Sequence, residues 1–301
     1  MKKSYRHICK KTIEEVVNFI NKYKGKYTVK RICKVLKFPR STYYEALIRV
    51  PSKREVETEH FREKLQEEFE DSNKRYGAIK LQQKLQSSGI PCSVKRVQRH
   101  MKALNIHSLV VKKYRPHSTK NNVPEKENIL DRDFNCTDIN QKWCTDITYI
   151  HVLKEGWTYL ASVMDLYSRR IVGYAYGKHM TAELAVKAVE NACLNVTNPN
   201  GIILHSDLGT QYTSKQFKKI IADKGLIHSF SRKGNPYDNA CIESFHSILK
   251  KEEVYVHKYP NFEYAQRAIF EFIESWYNRK RIHGALNYMT PVEFENLRKA
   301  A

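Results

Sequence analysis

The chain has 301 residues, enough for two or three compact units, and 41% of them are hydrophobic and 11% aromatic, which excludes a globally disordered protein. No run of eighteen apolar residues occurs, the basic start lacks the apolar stretch of a secretory signal, and the seven cysteines include no Cys-x-x-Cys pair; neither a membrane span, a signal peptide nor a zinc ribbon is expected, and the setting is a reducing cytosol. The net charge of +21 is uneven: residues 1–128 carry 31 Lys and Arg against 13 Asp and Glu, the remainder 22 against 19, so the front reads as a polyanion-binding part, or more blandly as a solvated basic surface.

Residues 12–21 have the spacing of a helix, with Ile13, Val16, Val17 and Ile20 on one side and Thr12 and Glu15 in a capping-box pattern. Residues 28–38 repeat that spacing through Val29, Ile32, Cys33 and Leu36, and Pro39 ends the element. A third helix is expected over 40–47, capped by Ser41 or Thr42; three short helices with a tight turn outline a helix-turn-helix. A charged helix over 54–69 follows, then a pair over 77–86 and 93–104. The last sets Val94, Val97, Met101 and Leu104 on one face, with Lys95, Arg96, Arg99 and Lys102 around the remainder, as in a DNA-reading helix or a small bundle with a basic outside. Polar residues 107–127 read as a linker. The expected domains are 1–55 and 56–110, both helical and DNA-binding, a linker over 111–134 and a catalytic unit over 135–301.

From residue 140 the apolar period changes to two. Segments 143–150, 157–166 and 170–176 read as successive strands, 181–196 as a helix, and 201–205 as a short strand suited to a buried parallel position. Helix 214–224, strand 226–230 and helices 238–251 and 262–278 complete an α/β unit with a mixed sheet.

Three carboxylates stand out here. Asp146 interrupts a β-prone run, sharing a face with Cys144, Thr148 and Ile150. Asp207 follows an apolar strand, at the end where open α/β sheets bind ligands. Glu243 lies on a helix whose polar stripe also carries Asn239, His246 and Lys250. Alone, each reads as readily as a turn residue or a solvated helix face, and Asp165 and Asp238 are taken as a turn residue and a helix N-cap. Brought together, three carboxylates repel one another, and divalent cations relieve that repulsion while supporting in-line phosphodiester displacement.

The segments TDITYI around Asp146, HSDLGTQYTS at 205–214 and SRKGNPYDNACIESFHSILKKE at 231–252 resemble the three catalytic segments of bacterial transposases of the insertion-sequence-three family, specifically the product of its second reading frame. Thirty-five residues separate Asp207 from Glu243, Lys250 stands seven after Glu243, and the tail WYNRKRIHGALNYMTPVEF is similar to that family's C-terminal segment. The resemblance runs from Tyr76 onward and, less distinctively, through the upstream helices. It implies an RNase H-like, retroviral-integrase-like core in which Asp146, Asp207 and Glu243 hold Mg²⁺ or Mn²⁺, with two ions. It further implies cleavage at the element's ends followed by attack of the freed 3′-hydroxyl on another phosphodiester. The partners it implies are the element's terminal inverted repeats and target DNA, further copies of the chain on that DNA, and an upstream reading-frame product as fusion or partner, in the bacterial cytoplasm at the nucleoid. The HHCC zinc module of retroviral integrases is absent from the sequence. Lys95, Arg96, Arg99, Lys250, Arg281 and His283 are candidate DNA contacts, each also readable as a surface charge. His205 reads equally as a partner of the site or a polar strand end, and Gly234, Asn235 and Pro236 as a mobile loop. A DNA-binding regulator and an RNase H-like nuclease are the competing readings.

Overall fold

The computed structural model describes residues 12–109, 127–232 and 236–300, so the first eleven residues, most of the expected linker, and Gly234 and Asn235 lie outside it. By contact the chain divides into two units, Met1–Glu63 and Lys64–Ala301.

In the first unit α1 (Ile13–Tyr23), α2 (Val29–Leu36) and α3 (Arg40–Ile48) enclose a small core of Val16, Val17, Ile20, Ile32, Cys33 and Tyr43. The expected capping box forms: Thr12 Oγ1 accepts from Glu15 N, and Thr12 N donates to Glu15 Oε2 at 3.1 Å. The cap expected for α3 at Ser41 or Thr42 is instead Pro39. Its ring holds φ at −63°, and its missing N–H costs nothing where a helix has no partner for it.

The second unit begins within α4 (Lys53–Asp71) and continues through α5 (Ala78–Ser87) and α6 (Val94–Ala103), where Ser93 Oγ caps the N–H of Arg96 at 3.2 Å. Leu81, Leu85, Val97 and Met101 are buried, and this helical pair falls in the same compact unit as the sheet. Arg75, between α4 and α5, donates to Glu253 Oε2 at 2.8 Å and to the Glu252 carbonyl at 3.1 Å. The Tyr76 hydroxyl donates to the Lys280 carbonyl and accepts from Ile282 N, both at 3.0 Å.

The five-stranded sheet has the order β3-β2-β1-β4-β5. β1 (Lys142–Val152), β2 (Gly156–Asp165) and β3 (Ile171–Gly177) form an antiparallel meander, turned at Gly156, whose φ of 76° suits a residue without Cβ. β4 (Ile203–Ser206) runs parallel to β1, and β5 (Ile227–Phe230) parallel to β4, each reached through a helical crossover. The mixed sheet matches the sequence expectation. One face packs on α7 (Ala182–Cys193) and α9 (Lys215–Asp223), joining Trp143, Ala161 and Val163 to Ala188, Val189, Phe217 and Ile221. A Cβ at Gly173 would collide with the backbone of Ala188 and Ala192, so only glycine lets α7 approach this closely. A single helical turn, α8 (Thr210–Thr213), follows β4.

The opposite face packs on α10 (Ala240–Leu249), preceded by a 3-10 turn over Pro236–Asn239 and prolonged by a π-helical turn over Lys250–Val254. α11 (Phe262–Glu271) likewise runs into a π-helical segment, Phe272–Tyr277, and α12 (Pro291–Ala300) closes the chain. Among the described residues no helix is long and apolar enough to cross a membrane, and the six cysteines there are free.

Candidate active site

The strand register sets the first two carboxylates. β1 and β4 pair through Lys142–Ile203, Trp143–Leu204 and Cys144–His205. Asp146 and Asp207 each lie two residues beyond that last pair, so the parallel strands deliver both to the same end of the sheet. Asp207 ends the strand in a tight turn in which its Oδ1 accepts from Gly209 N at 2.9 Å; a Cβ at residue 209 would meet that same oxygen at 2.9 Å.

The third lies on α10. Ile242, Phe245 and Leu249 are buried, and of the stripe Asn239, Glu243, His246 and Lys250 it is Asn239 and His246 that make polar contacts with β1. Asn239 Nδ2 donates to the Thr145 carbonyl at 3.3 Å. His246 Nδ1 lies 3.4 Å from Asp146 Oδ2, and its Nε2 lies 3.4 Å from the hydroxyl of Ser162, the residue opposite Asp146 on β2. Glu243, one turn before His246, is exposed. Lys250 extends over the Tyr149 ring, 4.0 Å from its centroid.

The charges feel one another. Desolvation by the surrounding protein and the negative charge of Asp146 push the Asp207 carboxyl up to about 6, although Asp207 itself is reachable by solvent. Burial, then Asp146 and Asp207, raise Glu243 above the usual carboxylate range. Lys250 is lowered by burial against the opposing pull of Asp146. Tyr212, fully enclosed and sharing a hydrogen bond with Thr145 Oγ1 at 3.3 Å, is driven well above its ordinary value by burial and then by Asp146. A group that holds its proton because of neighbouring negative charge gains from a cation placed there. The donor set is all oxygen, reachable, and matched to a hard divalent ion. Among the described residues no three His, Cys, Asp or Glu side chains are grouped closely enough to hold a metal ion together, so the fit is one of charge and donor chemistry alone.

The other expected residues separate. Lys95 and Arg99 project from α6 into solvent, and Arg96 is half-buried. Arg281 and His283, expected at phosphate, are buried instead. Arg281 donates to both oxygens of Glu252, from Nε at 3.1 and 3.0 Å and from Nη2 at 2.8 Å, and Trp276 Nε1 adds 3.0 Å to the same carboxylate. That pairing holds Glu252 below its usual range although burial pushes the other way. Burial, then Arg281, lowers His283 to about 3, and its ring packs edge-on to Tyr277. Arg281 is engaged by Glu252, and both side chains are packed into the tail. His205 is fully buried between Ser229 and Ser231, at 2.9 Å from each hydroxyl, and burial lowers it to about 4: it is an interior link from β4 to the β5 end. Asp165 is the expected turn residue, accepting from Ser168 N and Asn140 N, each at 2.8 Å.

Asp238 is not the N-cap of α10; Asn239 holds that position. Asp238 is fully buried and accepts from Arg232 N at 2.9 Å, Arg232 Nε at 3.1 Å and Arg132 Nε at 2.7 Å. Burial alone would raise it; the two guanidinium groups hold it far below the carboxylate range. This clasp, the Asp146 contact of His246 and the Tyr212–Thr145 bond were missed from sequence. Only the shared stripe of His246 and Glu243 offered a signal.

Residues 137–236 and 224–291 each match the integrase core domain family, the first segment carrying Asp146 and Asp207 and the second Glu243; residues 57–114 match an HTH-like domain. Over 282 residues the chain is 35% identical to the transposase InsF for insertion sequence IS3A of Escherichia coli (strain K12), covering 92% of this chain and 97% of that protein. It is 37% identical over 248 residues to the transposase for insertion sequence element IS904 of Lactococcus lactis, covering 82% and 98%. Among solved structures, the HTLV-2 integrase catalytic core domain in complex with magnesium aligns with a TM-score of 0.41 at 16% identity, over 54% of this chain and 99% of that one. With two relatives matched over almost their whole length and an integrase core spanning all three carboxylates, the chain belongs to the family of transposases of insertion sequence IS3.

Proposed function

We propose that the chain cuts DNA at the ends of its own element and joins the freed 3′-hydroxyl to another phosphodiester, with Asp146, Asp207 and Glu243 as the binding groups for two Mg²⁺ or Mn²⁺ ions. The observation that carries this is the strand register that sets Asp146 and Asp207 at one end of the sheet, beside a Glu243 carboxyl that burial and then those two charges raise. Divalent cations bound there supply activation of the attacking hydroxyl and stabilisation of the leaving oxygen. The residues do the positioning. His246 and Ser162 fix the orientation of Asp146, Asn239 ties the start of α10 to β1, and the Gly209 N–H holds one oxygen of Asp207. Lys250, beside Asp146, neutralises a phosphate entering the site.

In the same reading residues 1–55 and 56–110 grip terminal repeats and target DNA, with Lys95, Arg96 and Arg99 on phosphates, while residues 135–301 carry the chemistry; the HTH-like match over 57–114 supports the division. An element has two ends, so two active sites act together, in a homo-oligomer on DNA, with the upstream reading-frame product as fusion or partner, at the nucleoid in the cytoplasm. The test is metal-dependent nicking and joining of labelled element-end DNA by the full chain. Asp207→Ala and Glu243→Gln are each expected to bind that DNA as the parent does and to yield neither product. Joining by Asp207→Ala would remove that residue from the site. Binding by the parent without cutting in Mg²⁺ or Mn²⁺ would instead leave a DNA-binding regulator.

A further inference from the structure

β1 pairs with β4 only as far as Cys144, and its next bridge on that side is from Val152 to Tyr259, so among the described residues no strand pairs with the edge between them. At the far end of this stretch three rings gather. Tyr149 and Trp157 meet at 5.2 Å with their planes at 87°, and His151 and Trp157 at 5.1 Å and 82°. All three are exposed, Trp157 at 55% and Tyr149 at 47%. Neither neighbour lies parallel to Trp157, so its ring is not stacked on either of them. The cost of leaving this much aromatic surface in water calls for a function. Tyr149 and His151 alternate to the face of β1 opposite Asp146, and Lys250 bridges the two sides: its ammonium lies over the Tyr149 ring and feels the charge of Asp146.

We propose that Tyr149, His151 and Trp157 form a stacking surface for unpaired bases of the DNA strand whose phosphates run past Lys250 into the carboxylate site. The inference rests on the strand-transfer reading above for the path of the backbone. Exposed rings next to a cation are the combination that binds single strands, because every base offers a π-face and every link a charge. Bases next to a phosphate under attack must leave their duplex stack to reach such rings, and the rings offset that loss.

The test uses the full chain in EDTA, with a thymidine strand of about twenty nucleotides and an abasic strand of the same length and charge. Trp157 is the exposed member of the three tryptophans, Trp143 and Trp276 being buried, so acrylamide quenching reports on it directly. The thymidine strand is expected to shield Trp157 from acrylamide and the abasic strand is not. Trp157→Ala is expected to weaken thymidine-strand binding about tenfold and leave abasic binding unchanged. Equal loss on both strands, no loss on either, or unaltered quenching in the parent protein would overturn the proposal. None of these readouts needs metal or turnover, so they stand or fall separately from the cutting and joining assay.

Discussion

The imidazole of His246 lies between Asp146 and Ser162, 3.4 Å from a carboxylate oxygen on one side and 3.4 Å from a hydroxyl on the other. If Asp146 holds a cation as proposed, His246 is an outer partner that orients it, and loss of such a partner costs about 10–100-fold in metal affinity or activity. His246→Ala is therefore expected to lower Mn²⁺ affinity within that range, read by direct Mn²⁺ titration of the metal-free protein, while its DNA binding in EDTA is unchanged. Parent-like Mn²⁺ affinity would reduce His246 to a packing residue.

Asp207 sets a pH boundary. Its carboxyl, pushed up to about 6, holds a proton over the interval between its unfolded value and its folded one. The sign follows from that interval: the folded chain binds more protons there than the unfolded chain, so this group's contribution to stability falls as pH rises through about 6. A cation must displace the same proton, so metal affinity should fall below that pH, by about tenfold for each unit well beneath it. Calorimetric Mn²⁺ titrations at several pH values check the slope. Asp207→Asn is expected to raise the melting temperature of the metal-free chain and to abolish the further rise that cation brings.

Two groups of basic residues should respond in opposite ways. If Lys95 and Arg99 each meet a phosphate, replacing both by Ala flattens the dependence of log affinity on log salt by about 2. Arg281→Ala is expected to leave that slope alone and to destabilise the chain by about 3–5 kcal/mol, because it strands the buried carboxylate of Glu252. Salt titrations of DNA binding and denaturant unfolding on the same three proteins separate the two classes.

The strands and helices of the core were legible because their burial is one-sided. Cys144, Thr148 and Ile150 repeat at period two, and Ile242, Phe245 and Leu249 follow a helical spacing. The carboxylates stood out in the sequence through their motif spacing, and the strand register sets Asp146 and Asp207 at one end of the sheet. Arg281 and His283 were misread for a physical reason: charge in a sequence says nothing of a partner, and Glu252, 29 residues earlier, is brought to Arg281 only by the packing of the tail. Asp238 shows the same limit, since its partner Arg132 is 106 residues distant. α12 is different. Thr290, Pro291 and Glu293 carry a capping box with proline in the first turn, and Thr290 N does donate to Glu293 Oε2 at 2.8 Å, so that helix was readable and was overlooked.

The grip of Arg75 on the turn after α10, and of Tyr76 on the tail, bears on how the gene can be dissected. A fragment starting in the stretch after α6 would remove Arg75 from Glu253 and strip both Arg75 and Tyr76 from the Trp276 ring. Expressed by itself, such a fragment would leave the buried Glu253, among the described residues, with only Tyr259 and His257 and would carry a raw aromatic patch, and would tend to precipitate, whereas a cut upstream of Lys64 keeps that joint whole.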